Sequence, residues 1–229
     1  MSAEIGLITM VLALVCAVYA TGAALWGAGV RLTPGNVSLP LAGERTRWVL
    51  SARNATLAAF VLLTTSCVVL VASLVGGDYQ LNYVYNTTMR SAELFFKVTA
   101  LWGGQEGSLL FWSWIMSAFA AAVVAINWRS HRRLMPFVVA VMAITLAFFL
   151  MLTTFFANPY DRFWADPEAG TVTVAALPPA GAVPVEPWRM ADGSLQLWFE
   201  RPFPGAQTDG LGLNPLLRHF GMVIHPPLL

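Results

Sequence analysis

Charged residues are absent from four long stretches of this chain: between Glu4 and Arg31, Arg53 and Asp78, Glu106 and Arg129, and Arg133 and Asp161. Each gap exceeds the ~20 residues a helix needs to cross the hydrocarbon core of a bilayer. The pattern predicts membrane-spanning helices near 5–28, 55–75, 109–126 and 134–157. The first is read as a mature helix, not a cleaved signal, because its leading residues hold Glu4 and no Lys or Arg, and its apolar stretch is too long. Arginines then sort the connections. Arg31, Arg45, Arg47 and Arg53 crowd the loop 31–53, and Arg129, Arg132 and Arg133 crowd the turn after the third span. Segment 78–106 has only Arg90 and Lys97, set against Asp78, Glu93 and Glu106. Short Arg-rich loops stay cytoplasmic. The expectation is therefore that the N-terminus, segment 78–106 and everything after about Asn158 face the extracytoplasmic side.

Within 78–106, Leu94, Phe95, Val98, Leu101 and Trp102 recur at helical spacing. This predicts an amphipathic helix at about 91–102, ended by Gly103-Gly104. Glu93 and Lys97 would form an i,i+4 pair on its polar face, worth about 0.2–0.5 kcal/mol. Two environments suit the apolar face, the bilayer interface or other protein. Residues 158–210 change character. Asn158-Pro159, Asp166-Pro167, Pro178-Pro179, Pro184, Pro187, Pro202 and Pro204 forbid a long helix. Alternation at Thr171–Ala175 and at 194–199, with Asp192-Gly193 before the second, predicts short strands and a small outer hairpin or lobe. Residues 216–229 are largely apolar and stop after too few residues to span. They read as a fifth membrane helix cut off near its start, so the chain is expected to be a fragment or one piece of a split protein. The organisation expected is a four-helix membrane region over 1–160, a Pro-rich loop or small β lobe over 161–212, and the start of a fifth helix over 213–229. In fold class this is an all-α polytopic membrane protein with an interfacial helix and a small extracytoplasmic insert.

Composition strengthens that reading. The chain is 57% hydrophobic and 11% charged, with a mean hydropathy of +0.65, where soluble domains carry roughly 25% charged residues. A net charge of +1 gives no basic face for nucleic acid. Cys16 and Cys67 lie far apart in apolar runs, so neither a zinc knuckle nor a CxxC redox pair is available. Both read as small buried residues.

No Ser/His/Asp set, phosphate loop or paired-carboxylate spacing is present. Of the histidines, His131 sits among Arg129, Arg132 and Arg133 and reads as a solvated turn residue, and His219 beside Arg218 reads as a headgroup contact. His225 stands at the mouth of an apolar segment, followed by Pro226-Pro227. Polar residues at membrane depth usually mark a site, and prolines in a first helical turn fix the backbone there. The imidazole is either a metal or haem ligand or a hydrogen-bonded helix-entry residue. The run 102–112 opens the third span. Glu106 suits a helix N-terminus, and Ser108 could help cap it. In the plain reading this is a capping turn with Trp102, Trp112 and Trp114 as an aromatic belt. In the functional one, Trp102, Gly103, Gly104, Glu106, Gly107 and Trp112 form a docking edge for a flat cofactor or a partner.

These residues carry a resemblance. Trp102-Gly103-Gly104-Gln105-Glu106-Gly107-Ser108-Leu109-Leu110 resembles the WG-x-x-EGSLL signature of the CcmF/NrfE-type cytochrome c maturation haem lyases. Leu213-Asn214-Pro215-Leu216-Leu217, Gly221 and His225-Pro226-Pro227-Leu228-Leu229 resemble that family's LNPLL…G…HPPLL stretch. Phe155-Phe156-Ala157-Asn158-Pro159-Tyr160 matches its F-x-x-NP-[FY] helix end, and Leu25-Trp26-Gly27 its first-helix LWG. The motifs occur in the right order over the whole chain.

The resemblance implies a haem lyase of the bacterial inner membrane. Such a protein receives haem from a haem chaperone and attaches it to apocytochrome c, together with a thiol-handling subunit. It implies a b-type haem held by two membrane histidines, the first matching His225. The second, the WWD segment and the two outer histidines that grip the transferred haem would fall beyond Leu229. Arg218 stands where the family has glutamine, and 161–210 is longer than the family's loop. A runner-up is a non-catalytic membrane subunit of a respiratory or transport complex. Such a subunit would be expected to show ionisable residues well inside its spans, and the first four spans show none. A purely structural piece of a split lyase is a third reading.

Overall fold

A computed structural model describes residues 2–29, 42–166, 171–189, 195–198 and 209–214. Among them, the helices long and apolar enough to cross a membrane are α1 (Ser2–Ala28), α2 (Ala42–Gly76), α5 (Gln105–Asn127) and α6 (Met135–Phe155). They correspond to the four charge-free stretches. One boundary differs markedly. Helix α2 has 35 residues, about 52 Å at 1.5 Å per residue, against a hydrocarbon core of about 30 Å. Arg45, Arg47 and Arg53, which the sequence places in a loop, lie on its first turns. Arginine is a good helix former, so absence of charge marks the hydrocarbon span and not the helix end. Helix α6 opens with Pro136 in its first turn, where the missing N–H is not needed, and Phe156 caps its end ahead of Asn158-Pro159.

The described residues form two compact units. The bundle unit comprises Ile8–Ser66 and Leu109–Phe156. Its core joins Ala23 and Ala24 of α1, Ala52 of α2, Val124 of α5, and Val139 and Ala140 of α6. Ala13, Ala17, Ala20 and Ala24 make a buried stripe along α1. Lipid tails are as apolar as leucine, so the gain comes from close backbone approach, which small residues permit. Other apolar side chains face outward: Val15, Val61, Phe119, Ile126, Val141 and Phe148 are exposed, which suits contact with acyl chains, while Met10, Leu63, Leu110, Leu146 and Leu150 are buried.

The second unit comprises Met1–Leu7, Cys67–Ser108 and Ala157–Leu229. It holds the ends of α1 and α2, the start of α5, and the short helices α3 (Asn82–Thr87) and α4 (Leu94–Thr99), the latter tightening into a 3₁₀ turn at Ala100–Trp102. It also holds strands β1 (Arg162–Asp166), β2 (Thr171–Ala175), β3 (Val183–Pro184), β4 (Glu186–Arg189) and β5 (Leu195–Trp198). Strand β1 is central in the order β2-β1-β3, antiparallel to both neighbours, with Trp164 opposite Thr173 and Pro184. A bridge from Leu81 to Arg162, and the Asn82 N–H donating to Asp161 O at 2.9 Å, tie β1 to the start of α3. Strand β2 lies where alternation places it, and β5 lies within 194–199. Strand β4 pairs with β5, while Asp192-Gly193 lies outside the described residues. Cys67 is buried here and Cys16 half-buried in the bundle unit, both free.

The expected amphipathic helix at 91–102 is shorter than the spacing suggests. Leu101 is buried, but Leu94, Phe95 and Val98 are exposed, leaving that apolar face open. Glu93 and Lys97 do not form the expected ion pair. Glu93 is the N-cap of α4, and its carbonyl takes the Lys97 amide at 3.1 Å.

Candidate functional site

The glycine-rich turn ahead of α5 is built around Tyr83 of α3. The Tyr83 hydroxyl donates to Ala100 O at 2.6 Å, shared with Leu101 O at 3.1 Å, and accepts the Gly104 N–H at 3.2 Å. One buried phenol thus serves two carbonyls of the 3₁₀ turn and an amide just ahead of α5, at a junction where regular helical bonding is interrupted; Ala100 O also accepts the Gly103 N–H at 3.0 Å. A Cβ on Gly107 would collide with both Leu101 O and the Tyr83 hydroxyl. Gly103 is constrained from the other side, since a Cβ there would fall 2.6 Å from Leu213 Cδ1. Ser108 does not cap in the expected sense. Its hydroxyl donates back to Trp102 O at 2.9 Å, across the turn.

Leu213 arrives on segment 209–214, which docks on the same unit. Asp209 Oδ1 accepts from the Arg90 N–H at 2.5 Å, the Gly210 N–H at 2.9 Å and the Tyr79 hydroxyl at 3.2 Å. The Leu211 N–H donates to Tyr85 O at 2.8 Å and the Gly212 N–H to Thr88 O at 3.1 Å. Leu213 closes a cavity of about 190 Å³ shared with Thr87, Met89, Glu93 and Phe96. Two stretches over a hundred residues apart in sequence, Trp102–Ser108 and the segment entering Leu213-Asn214, are thereby packed together.

Electrostatics follow from burial. Desolvation, with the Asp209 carboxylate adding to it, pushes the Tyr79 phenol up to about 12, and burial raises Tyr83 further. Asp161 is also raised, by burial first and by the Glu106 carboxylate second, so these two acids share one neighbourhood. In the helix-end motif, Asn158 Oδ1 accepts the Tyr160 N–H at 3.0 Å and Tyr160 is fully buried. Phe155 and Phe156 are exposed. The buried Arg162 guanidinium pairs with Glu4 at 3.3 Å and lies 5.7 Å from the Trp164 ring.

Of the residues singled out from sequence, Trp102, Gly103, Gly104, Glu106 and Gly107 are brought together here. Trp112 belongs to the bundle unit and is half-buried on α5. In that unit the Trp114 indole donates to Thr64 Oγ1 at 3.0 Å, so it packs inside the protein as well as serving any aromatic belt. His131 is exposed in its turn. His219 and His225 lie outside the described residues. Among the described residues no cluster of three or more His, Cys, Asp or Glu could hold a metal ion. The turn provides a closely packed seat with the Glu106 and Asp161 carboxyl groups beside it. Sequence reading missed Tyr79, Tyr83, Asp209 and Arg162. Three glycines within 103–107 carried a signal, since such density implies a bulky neighbour, but not which one.

No family model matches the chain. It is similar to the cytochrome c-type biogenesis protein CcmF of Haemophilus influenzae, 25% identical over 100% of this chain and 27% of that protein. The probable cytochrome c-type biogenesis protein NrfE of Escherichia coli is 31% identical over 82% of this chain and 27% of its own. The cytochrome c-type biogenesis protein CycK of Rhizobium meliloti is 30% identical over 78% of this chain and 20% of its own. The chain thus spans about a quarter of the length of the curated relatives it matches. In fold it resembles a solved structure described as cytochrome c heme lyase CcmF, with a TM-score of 0.55 and 22% identity over 70% of this chain and 25% of that one.

Proposed function

The chain belongs to the CcmF/NrfE-type family of cytochrome c biogenesis proteins, and from that premise we propose that it acts as the N-terminal membrane part of a haem lyase. In this reading the complete protein takes haem from a haem chaperone and attaches it to apocytochrome c. The observation that supports it is the packing of Leu213 on Gly103. Leu213, which begins the second stretch carrying the family resemblance, thus packs on the turn that opens α5 and carries the first.

We propose that in the complete protein His225 would help hold a b-type haem, through its imidazole on the iron. His131 is the histidine among the described residues, and it stands exposed in an arginine-rich turn. When bound, the haem would supply an iron centre for electron transfer. What the chain itself would contribute is a neutral imidazole, its direction set by Pro226-Pro227 and its tautomer held by a hydrogen bond at the other ring nitrogen. His225→Ala in the complete protein should abolish or shift the reduced-minus-oxidised b-type absorbance and lower covalent haem on a co-expressed c-type cytochrome. His131→Ala should leave both alone. An unchanged spectrum in His225→Ala would remove the assignment.

We further propose that the N-terminus and the 161–212 lobe face the extracytoplasmic side, on the distribution of arginine between the connections. A cysteine introduced at Ala182 should react with an impermeant thiol reagent on intact cells and one at Ser130 should not. The opposite pattern reverses the orientation.

A further inference from the structure

At the arginine end of the bundle unit, a cleft of about 590 Å³ opens between the end of α1, the first turns of α2 and the turn joining α5 to α6. Its walls carry Arg45 and Arg53 from α2, Arg129 and Arg132 from the turn, and apolar surface from Trp128 and Leu50. None of the described lining residues is acidic. Residues 42–54 and 127–136 together hold six arginines against one carboxylate, Glu44. Arg53 is held in place: its Nε and Nη2 donate to Asn54 Oδ1 at 3.1 and 2.9 Å, and its guanidinium lies 5.1 Å from the Trp128 ring centroid. Four guanidiniums around one concavity repel one another. The arrangement is favourable when an anion sits among them, and a phosphate matches their paired N–H donors.

A second cleft bears on which kind of phosphate would suit the first. Tyr19, Gly22, Ala23, Trp26 and Trp48 line an apolar cleft of about 410 Å³ one residue along the same two helices, Trp26 preceding Gly27 and Trp48 preceding Val49. Trp26 and Trp48 are exposed, as tryptophans at the boundary between headgroups and acyl chains are. A soluble anion would use the arginines and leave this apolar surface unserved. A lipid uses both.

We propose that the Arg45–Arg53–Arg129–Arg132 cleft binds the phosphate of an anionic glycerophospholipid, with an acyl chain against Trp26 and Trp48. The test is native mass spectrometry of the full chain released from detergent micelles, with phosphatidylglycerol, phosphatidylcholine or inorganic phosphate as probe. Phosphatidylglycerol should be retained at least about fivefold over phosphatidylcholine, the scale of one basic residue at an anionic surface. Arg45→Gln with Arg132→Gln should erase the preference. Arg47→Gln with Arg133→Gln removes the same charge outside the cleft lining and should preserve it. If the first pair prevents folding, Arg132→Gln alone, on the exposed turn, should reduce the preference. Equal retention of the two lipids, or equal loss in both double variants, would overturn the site in favour of diffuse surface charge. Retention of inorganic phosphate in competition with phosphatidylglycerol would overturn the lipid assignment in favour of a soluble ligand.

Discussion

In the bundle unit most side-chain hydroxyls turn back on their own helices, the Tyr19–Ser51 pair between α1 and α2 at 2.7 Å being an exception. Thr56 donates to Ala52 O, Ser113 to Leu109 O, Ser117 to Trp114 O and Thr153 to Phe149 O, all within four residues and at 2.7–3.0 Å. In the second unit the Tyr83 hydroxyl reaches carbonyls 17 and 18 residues away, and Asp209 reaches the Arg90 amide over 119 residues. The difference follows from surroundings. A helix in hydrocarbon must satisfy its polar groups within itself, which leaves small residues to bring helices together. Irregular backbone has no such internal partners, so a few long-range side chains hold it. The bundle should therefore tolerate single changes, and the second unit should depend on a handful of positions.

Gly107→Val tests this most severely. The new side chain would drive into Leu101 O and the Tyr83 hydroxyl, with an expected loss of about 3 kcal/mol or more. Its counterpart, Gly22→Ala on α1, has nothing within 4 Å of the new Cβ and should stabilise by about 0.5–1 kcal/mol. Thermal melts in matched detergent would measure both. Similar losses at the two sites would erase the contrast between the units.

Tyr83→Phe comes next. It leaves the Ala100 and Leu101 carbonyls and the Gly104 amide without their shared partner, at a cost of about 1–3 kcal/mol. Limited proteolysis should then open the chain between 88 and 104 before the spans are touched. Resistance equal to wild type would mean that the turn holds itself. Trp114→Phe should have the smallest effect. It removes the indole donor to Thr64, but Thr64 still donates to Phe60 O at 2.8 Å, so the loss should be about 0.6 kcal/mol, the average for hydrogen bonds between membrane helices. A melt shift as large as that of Tyr83→Phe would show that the bundle also rests on long-range polar contacts.

Much of this architecture was legible in the sequence. The four spans, strand β2 and the turn ending at Gly103-Gly104 could be read because each depends on residues close in the chain. The N-terminal extension of α2 could not, because a charge-free window detects hydrocarbon and Arg45 and Arg47 are compatible with helix or loop. Strand β1 was hidden because Arg162–Asp166 shows no alternation, with Arg162, Trp164 and Ala165 all buried. The cluster from Trp102 to Gly107 stood out as a motif, yet its purpose depended on Tyr83, which no local pattern connects to it.

The amino-acid sequence by itself determined which segments can lie in hydrocarbon and in what order. Transfer from water to lipid sums over about twenty neighbouring residues, whatever else they touch. The tertiary structure alone decided that Gly107 must lack a side chain, that Asp209 fastens the approach to Leu213, and that four arginines from two separate segments face one cleft. Those outcomes depend on clearances of an ångström or so and on donors meeting acceptors across long separations, which are properties of the packed chain.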